Sequence, residues 1–286
     1  MYRWILLQSA SILVAVVISM VLIGEILTGP ASTVVGILVP DFPVDSVEIP
    51  TSQNYKVHGW LARGIRGHGA VVLVHSIRSN RLEMLGRARF LNEQGYSVLL
   101  IDLQAHGETP GERITFGMRE SKDVKAAVDY LRDNFPGERI AAIGVTLGAA
   151  AITLADPPLK LNAIVLESLH PTFEEAVENR LKLHLGEFGI WLKPFLLSYL
   201  SLLLDVSTDQ LNPIDRISNL NTPILLISGT HDRHTTQSEA ERLFDAALPP
   251  KELWIIPGAG HYNMHTYNNR SYEERVSSFL SKYLWQ

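Results

Sequence analysis

Mostly apolar runs recur along the chain, and between them apolar positions come every third or fourth residue. The runs are residues 57–62 (VHGWLA), 70–75 (AVVLVH), 97–102 (SVLLID), 139–144 (RIAAIG), 162–167 (NAIVLE), 223–229 (PILLISG) and 252–258 (ELWIIPG). Strand side chains point alternately to the two faces of a sheet. A run apolar at nearly every position therefore predicts a strand covered on both sides. The intervening stretches have helical spacing and helical stops. Residues 81–95 end at Gly95, 119–135 stop before Pro136, 236–248 stop before Pro249, and 270–284 close the chain. This alternation predicts an α/β domain with a mostly parallel sheet and helices on both faces. The strand near residue 57 is expected to run antiparallel to the others. No internal repeat or low-complexity segment breaks the pattern.

Two segments depart from the rhythm. Between Glu167 and Pro223 the pattern is helical with no convincing strand, and residues 188–206 (FGIWLKPFLLSYLSLLLDV) are strongly apolar. A second transmembrane helix and a helical cap both fit that composition. Lys193 and Pro194 interrupt the run, so it reads as a cap inserted over the site at about residues 168–220. The other segment is residues 4–24 (WILLQSASILVAVVISMVLIG), which carry no charge. About 20 such residues cross a bilayer core as a helix. The run is longer than a signal-peptide core of about 7–15 residues and lacks a clear small-residue cleavage site. It reads as an uncleaved anchor, with a cleaved signal and a buried core helix as the alternatives. Arg3 is its only positive flank, which places the following domain on the extracytoplasmic side of a single-pass topology. The expected organisation is an anchor over residues 1–27, a proline-bearing connector over 28–50 and the α/β domain over 51–286.

Composition narrows the partners. The 286 residues are 46% hydrophobic and 19% charged with a formal net charge of -5, and no basic block occurs. Nucleic acid is not an expected partner, because phosphate binding needs a concentrated basic surface. The absence of cysteine removes disulfides, thiolate metal sites and a cysteine nucleophile.

In open α/β sheets, ligands bind beyond the carboxyl ends of the strands. Three polar residues fall there. Thr146 follows the strand ending at Gly144, Asp232 follows PILLISG, and His261 follows ELWIIPGAG. Hydroxyl, acid and histidine in that chain order match a nucleophile, an orienting acid and a general base. Glu167, at another strand end, is the reserve acid, and His265 the competing base. HDRH and HYNMH offer histidine pairs, but the triad already explains their positions, so no metal or cofactor is expected.

The elbow GVTLG, together with DLQAHGET (102–109), GTHDRHT, GAGH and the strand and loop VLVHSIRSN (72–80), resembles the α/β-hydrolase superfamily of esterases, lipases, thioesterases and peptidases. The likeness covers residues 47–285 and implies the α/β-hydrolase fold with an acyl-enzyme mechanism. It implies Thr146 as nucleophile, Asp232 and His261 as its partners, and the backbone amides of Ile77 and Leu147 as the oxyanion hole. Gly144 and Gly148 permit the close strand–helix approach at the elbow. His75 is expected to shape the oxyanion loop, and His106 to hold a turn. Two positions depart from the family pattern: Ser76 stands where glycine is usual and Thr146 where serine is usual. An elbow residue sits at a strained positive φ, worst for a β-branched side chain, and threonine's methyl restricts χ1. The hydroxyl chemistry survives, with slower turnover expected. The expected substrate is a small acyl or lipid-like molecule matching the apolar cap. The alternative is a non-catalytic member of the fold that binds an apolar ligand or partner at the membrane.

Overall fold

The apolar runs form one eight-stranded sheet in the computed structural model, which describes residues 17–36, 40–261 and 263–285. Its strands are β2 (Asp45–Pro50), β3 (Lys56–Ala62), β4 (Ala70–Val74), β5 (Ser97–Ile101), β7 (Ile140–Val145), β8 (Ala163–Glu167), β9 (Ile224–Gly229) and β10 (Lys251–Ile256). A separate pair joins β1 (Ala31–Ser32) to β6 (His106–Gly107). The order is β10-β9-β8-β7-β4-β5-β3-β2, parallel from β10 to β5, with β3 antiparallel to β5 as expected.

The sheet starts earlier than the sequence pattern suggests. β2 lies inside the stretch read as connector and pairs antiparallel with β3, Ile49 opposite Val57. It is an edge strand in which only Ile49 is fully buried. It therefore has little of the apolar run that marks the central strands.

Every residue of β4, β5, β7, β8 and β9 is buried. Successive residues feed opposite layers. Val72 and Val74 meet α3 (Glu120–Asn134) and α4 (Leu147–Thr153), while Val71 and Leu73 meet α2 (Leu85–Glu93) and α9 (Asn269–Leu284). Each large apolar side chain sealed this way stabilises the fold by about 1.5–3 kcal/mol. Helix α7 (Gln237–Ala246) starts with a capping box between Thr236 and Glu239, and α8 (Met264–Tyr267) is a single turn before α9.

The interval without strands is a helical hairpin: α5 (Phe173–Leu185), a 3-10 stretch (Gly186–Leu192) and α6 (Lys193–Leu204). The run Phe173–Leu204 is long and apolar enough to cross a membrane by length and composition. Its fold is that of a cap. Gly186 breaks the helix at φ +64°, and Pro194 sits in the first turn of α6, where no amide partner is lost. Lys193 then ties α6 back to Glu174 (2.6 Å) and Glu178 (2.8 Å) of α5. Leu196, Leu200 and Leu204 are buried in the core.

The first described element is the apolar helix α1 (Val17–Thr28). The part of the expected anchor before Val17 lies outside the described residues. The C-terminal end of α1 is seated on the domain. Gly24 meets Tyr199 of α6 so closely that a Cβ would fall 2.3 Å from the ring. Glu25 pairs with Arg113 at 2.9 Å, and Arg78 donates to the carbonyls of Ile26 (2.7 Å) and Gly29 (3.1 Å).

Candidate active site

At the top of β7 the chain turns directly into α4. Thr146, the turn residue, has φ 43° and ψ -96°, a conformation that costs a β-branched residue about 1–3 kcal/mol. The surroundings hold it there. Its amide donates to the Glu167 carbonyl at 2.9 Å, and its carbonyl accepts from Ala150 at 2.9 Å. The turn is tight because its glycines let backbones touch. A Cβ on Gly148 would lie 2.3 Å from the Val74 carbonyl oxygen, and one on Gly144 would lie 2.5 Å from the Ala149 nitrogen. The Thr146 hydroxyl is buried and has no hydrogen-bond partner among the described residues. The structure therefore does not join it to His261 by a direct hydrogen bond.

Asp232 and His261 do meet. Nδ1 of His261 lies 2.8 Å from Oδ2 of Asp232, which also accepts from the Ser168 hydroxyl at 3.0 Å. Oδ1 accepts from the amides of His234 (2.8 Å) and Thr235 (2.9 Å). Burial raises the carboxyl pKa. The hydrogen bond and charge of His261, followed by the two amides, outweigh burial and hold it below the ordinary value. The carboxylate side chain is sealed, whereas His261 keeps 24% of its side chain exposed. A charged carboxylate fixes the imidazole with its proton on Nδ1, which leaves Nε2 able to take a proton. The rivals are engaged elsewhere. Glu167 is locked to Arg87 by bonds of 2.9 and 2.6 Å, and His265 bonds Glu273 at 2.9 Å and stacks on Phe90.

Two sealed histidines shape the loop after β4. The Leu103 amide donates to His75 Nε2 at 3.0 Å, so the ring proton sits on Nδ1 and points to the Ser76 carbonyl at 2.7 Å. The Arg78 amide likewise donates to His106 Nε2 at 3.0 Å, and Nδ1 of that ring faces the Gln104 carbonyl at 2.9 Å. Burial pushes both imidazoles down to about 4, so they stay neutral acceptors at neutral pH. Ser76 is held by Glu83 through its amide (2.8 Å) and hydroxyl (2.7 Å). The left-handed turn falls at Arg78 instead, with φ 57°. Ser76 thus needs no glycine conformation. Among the described residues the amides of Ile77 and Leu147 have no acceptor.

Thr146, Ile77 and Leu147 border a cavity of about 320 Å³. Apolar side chains of the cap, including Phe173, Leu196 and Leu200, form much of its wall, and Ile23 and Leu27 of α1 close part of it. Three polar side chains, His170, Arg180 and His184, also line it. Sequence reasoning missed Ser168, His170, Arg180 and the contribution of α1. Ser168 directly follows a strand end, a signal that was present. Arg180 interrupts the apolar stripe Phe173, Ala176, Val177, Leu181 of α5, a second readable signal. The α1 contact is long-range and has no local mark. No group of three or more His, Asp or Glu able to hold a metal occurs among the described residues.

Comparisons with known proteins agree with this architecture. Residues 71–274 match the model of the alpha/beta hydrolase family. An uncharacterized protein of Mycobacterium tuberculosis is 31% identical over 82% of this chain and 79% of its own length. An uncharacterized protein of Bacillus subtilis is 24% identical over 81% of this chain and 77% of its length. Among solved structures, an esterase of Pyrococcus furiosus superposes with a TM-score of 0.74 at 25% identity, over 90% of this chain and 98% of that one.

Proposed function

The chain belongs to the alpha/beta hydrolase family, and from that premise we propose that it is a membrane-anchored hydrolase cleaving an ester, thioester or related acyl bond. The observation that carries this reading is the 2.8 Å His261–Asp232 pair, together with the strained elbow conformation of Thr146. His261 Nε2 takes the Thr146 proton as the hydroxyl attacks the acyl carbon. Asp232 stabilises the imidazolium, and the unpaired amides of Ile77 and Leu147 receive the oxyanion. The imidazolium then protonates the leaving group, and water activated by the same base releases the acid. The hydroxyl–base hydrogen bond is expected to form in the substrate complex, since such bonds often align only there.

A fluorophosphonate probe tests the nucleophile. Wild-type protein is expected to label slowly and Thr146→Ala not at all. Thr146→Ser is expected to label faster by on the order of tenfold, equivalent to about 1.4 kcal/mol of relieved strain and crowding. Wild type that stays unlabelled while Thr146→Ser labels would remove the native catalytic claim. The unpartnered Thr146 hydroxyl favours a second reading, a non-catalytic binder of an apolar ligand. That reading requires ligand affinity unchanged in Thr146→Ala and no hydrolysis of nitrophenyl esters.

The anchor rests on the apolar run 4–24, on α1 with its exposed Val17, Ile18, Leu22 and Ile26, and on exposed cap aromatics such as Trp191, 76% accessible. Rings of this kind favour a membrane–water interface. The soluble domain is assigned to the extracytoplasmic side. Alkaline extraction that strips the full chain from membranes would overturn the anchor. Protection of the domain from protease added outside would overturn the orientation.

A further inference from the structure

The cavity beside Thr146 is apolar but not uniformly so. Among the described residues its lining includes no carboxylate, yet it includes an arginine, Arg180, on the cap helix α5. Among the described residues Arg180 makes no ion pair, and its one hydrogen bond runs one turn back along its own helix, from Nη1 to the Ala176 carbonyl at 2.9 Å. The two acids that act on it from a distance, Asp232 and Glu239, are committed elsewhere. Asp232 serves His261, Ser168 and two amides. Glu239 accepts from Asn179 (2.7 Å) and from the Thr236 amide (2.7 Å). A guanidinium against apolar walls with no ion-paired acid is costly, and five directed donors remain largely unused.

A second group in the same wall lacks a partner. His170 lines the cavity, and its Nε2 is buried with no hydrogen bond among the described residues. The helical spacing shows that Arg180 is part of the cavity side. Phe173, Ala176, Val177 and Leu181 form the face of α5 turned to the cavity, and Arg180 falls on that same face.

We propose that this cavity binds a single-chain amphiphile with an anionic head, a carboxylate or phosphate, held by Arg180 and His170 while the chain lies against the cap and α1. This rests on the hydrolase reading only for its consequence, that the substrate is an ester carrying such a group. The binding claim stands alone. The planar fork of Arg180 suits a two-oxygen anion, and the apolar wall strengthens the contact by excluding water. A neutral amphiphile of equal length leaves both groups unpaired.

The test is displacement of a dansylated fatty acid from the full-length protein in nanodiscs, with dodecanoate, dodecyl phosphate and dodecanol as competitors. The two anions are expected to displace the probe at about tenfold lower concentration than the alcohol. Arg180→Met is expected to erase that gap by weakening the anions alone, and Arg180→Lys to keep part of it. Dodecanol competing as well as dodecanoate on the wild type overturns the proposal without any variant. Equal weakening of all three ligands by a folded Arg180→Met overturns it too, because that marks a purely structural arginine. The readout needs no turnover, so a failed fluorophosphonate experiment and a failed displacement experiment point to different errors.

Discussion

Neighbouring strands β8 and β9 each deliver a buried carboxylate to the same end of the sheet, and their surroundings differ completely. Glu167 meets Arg87 at 2.9 and 2.6 Å and the Tyr272 hydroxyl at 2.5 Å, with the side chains of Glu167 and Arg87 fully sealed. Asp232 is sealed as well, but its histidine keeps 24% of its side chain exposed, with one ring nitrogen unbonded among the described residues. One carboxylate closes on a permanent cation and can do nothing further. The other orients a partly exposed imidazole. Two acids at similar strand positions are thus divided by what pairs with them, a structural brace on one side and a candidate acid–base relay on the other.

The strongest way to break this contrast is Asp232→Asn. The carboxamide keeps the shape and still accepts from the amides of His234 and Thr235, but it cannot stabilise an imidazolium. Fluorophosphonate labelling is expected to fall on the order of 10⁴-fold, as such a change does in a working triad. Stability, read by urea unfolding, is expected to drop by no more than about 2 kcal/mol. Labelling that persists would mean His261 works without this acid, and the distinction between the two strand ends would fail.

Glu167→Gln attacks the other side and should give the opposite pattern. Arg87 is left buried with an unanswered charge, at a cost of about 3–5 kcal/mol in the unfolding free energy. Labelling per folded molecule is expected to stay within about twofold. The double change Arg87→Met with Glu167→Leu is expected to recover most of the loss, because it removes both charges together. A stable Glu167→Gln protein with lost labelling would make Glu167 the site acid after all.

Much of the fold and of the candidate site's layout is legible in the sequence. The parallel strands announced themselves because burial on both faces demands unbroken apolar runs, and the strand ends then located Thr146, Asp232 and His261. What escaped was non-local or masked by exposure. Nothing near Glu167 reveals that Arg87 and Tyr272, far away in the chain, will close over it. β2 escaped because an edge strand needs only one buried side, and here only Ile49 is fully buried. The wall supplied by Ile23 and Leu27 depends on where α1 lands on α6, a contact that periodicity cannot encode. Arg180 was legible in principle, as a cation on an apolar helix face, but a charge there reads as a solvated position until the cavity is seen.

The contrast between sealed and open groups extends to the histidines, where the expected effect is the smallest. His75 and His106 are buried as neutral acceptors, with pKa values pushed down to about 4, against about 6.5 in the unfolded chain. Between those values the unfolded chain binds more protons than the folded one, so stability rises with pH across the window and is lost as pH falls from about 6.5 towards 4. His234, pushed down to about 4, and His170, to about 3, act in the same direction. Asp232, held below its ordinary value, contributes stability that is lost only at lower pH, as its own folded value is passed. Asp123, raised to about 7 by burial, and Asp102, also raised by burial, act in the opposite direction over this window. The four imidazoles outnumber them, so urea midpoints between pH 7 and 4.5 are expected to fall. Replacing one sealed ring, His106→Gln, should flatten that slope by about one proton, on the order of 1 kcal/mol per pH unit. An unchanged slope in that variant would mean the His106 ring takes up its proton without opening the fold, and the loop carrying Ile77 would then not be braced by a neutral imidazole.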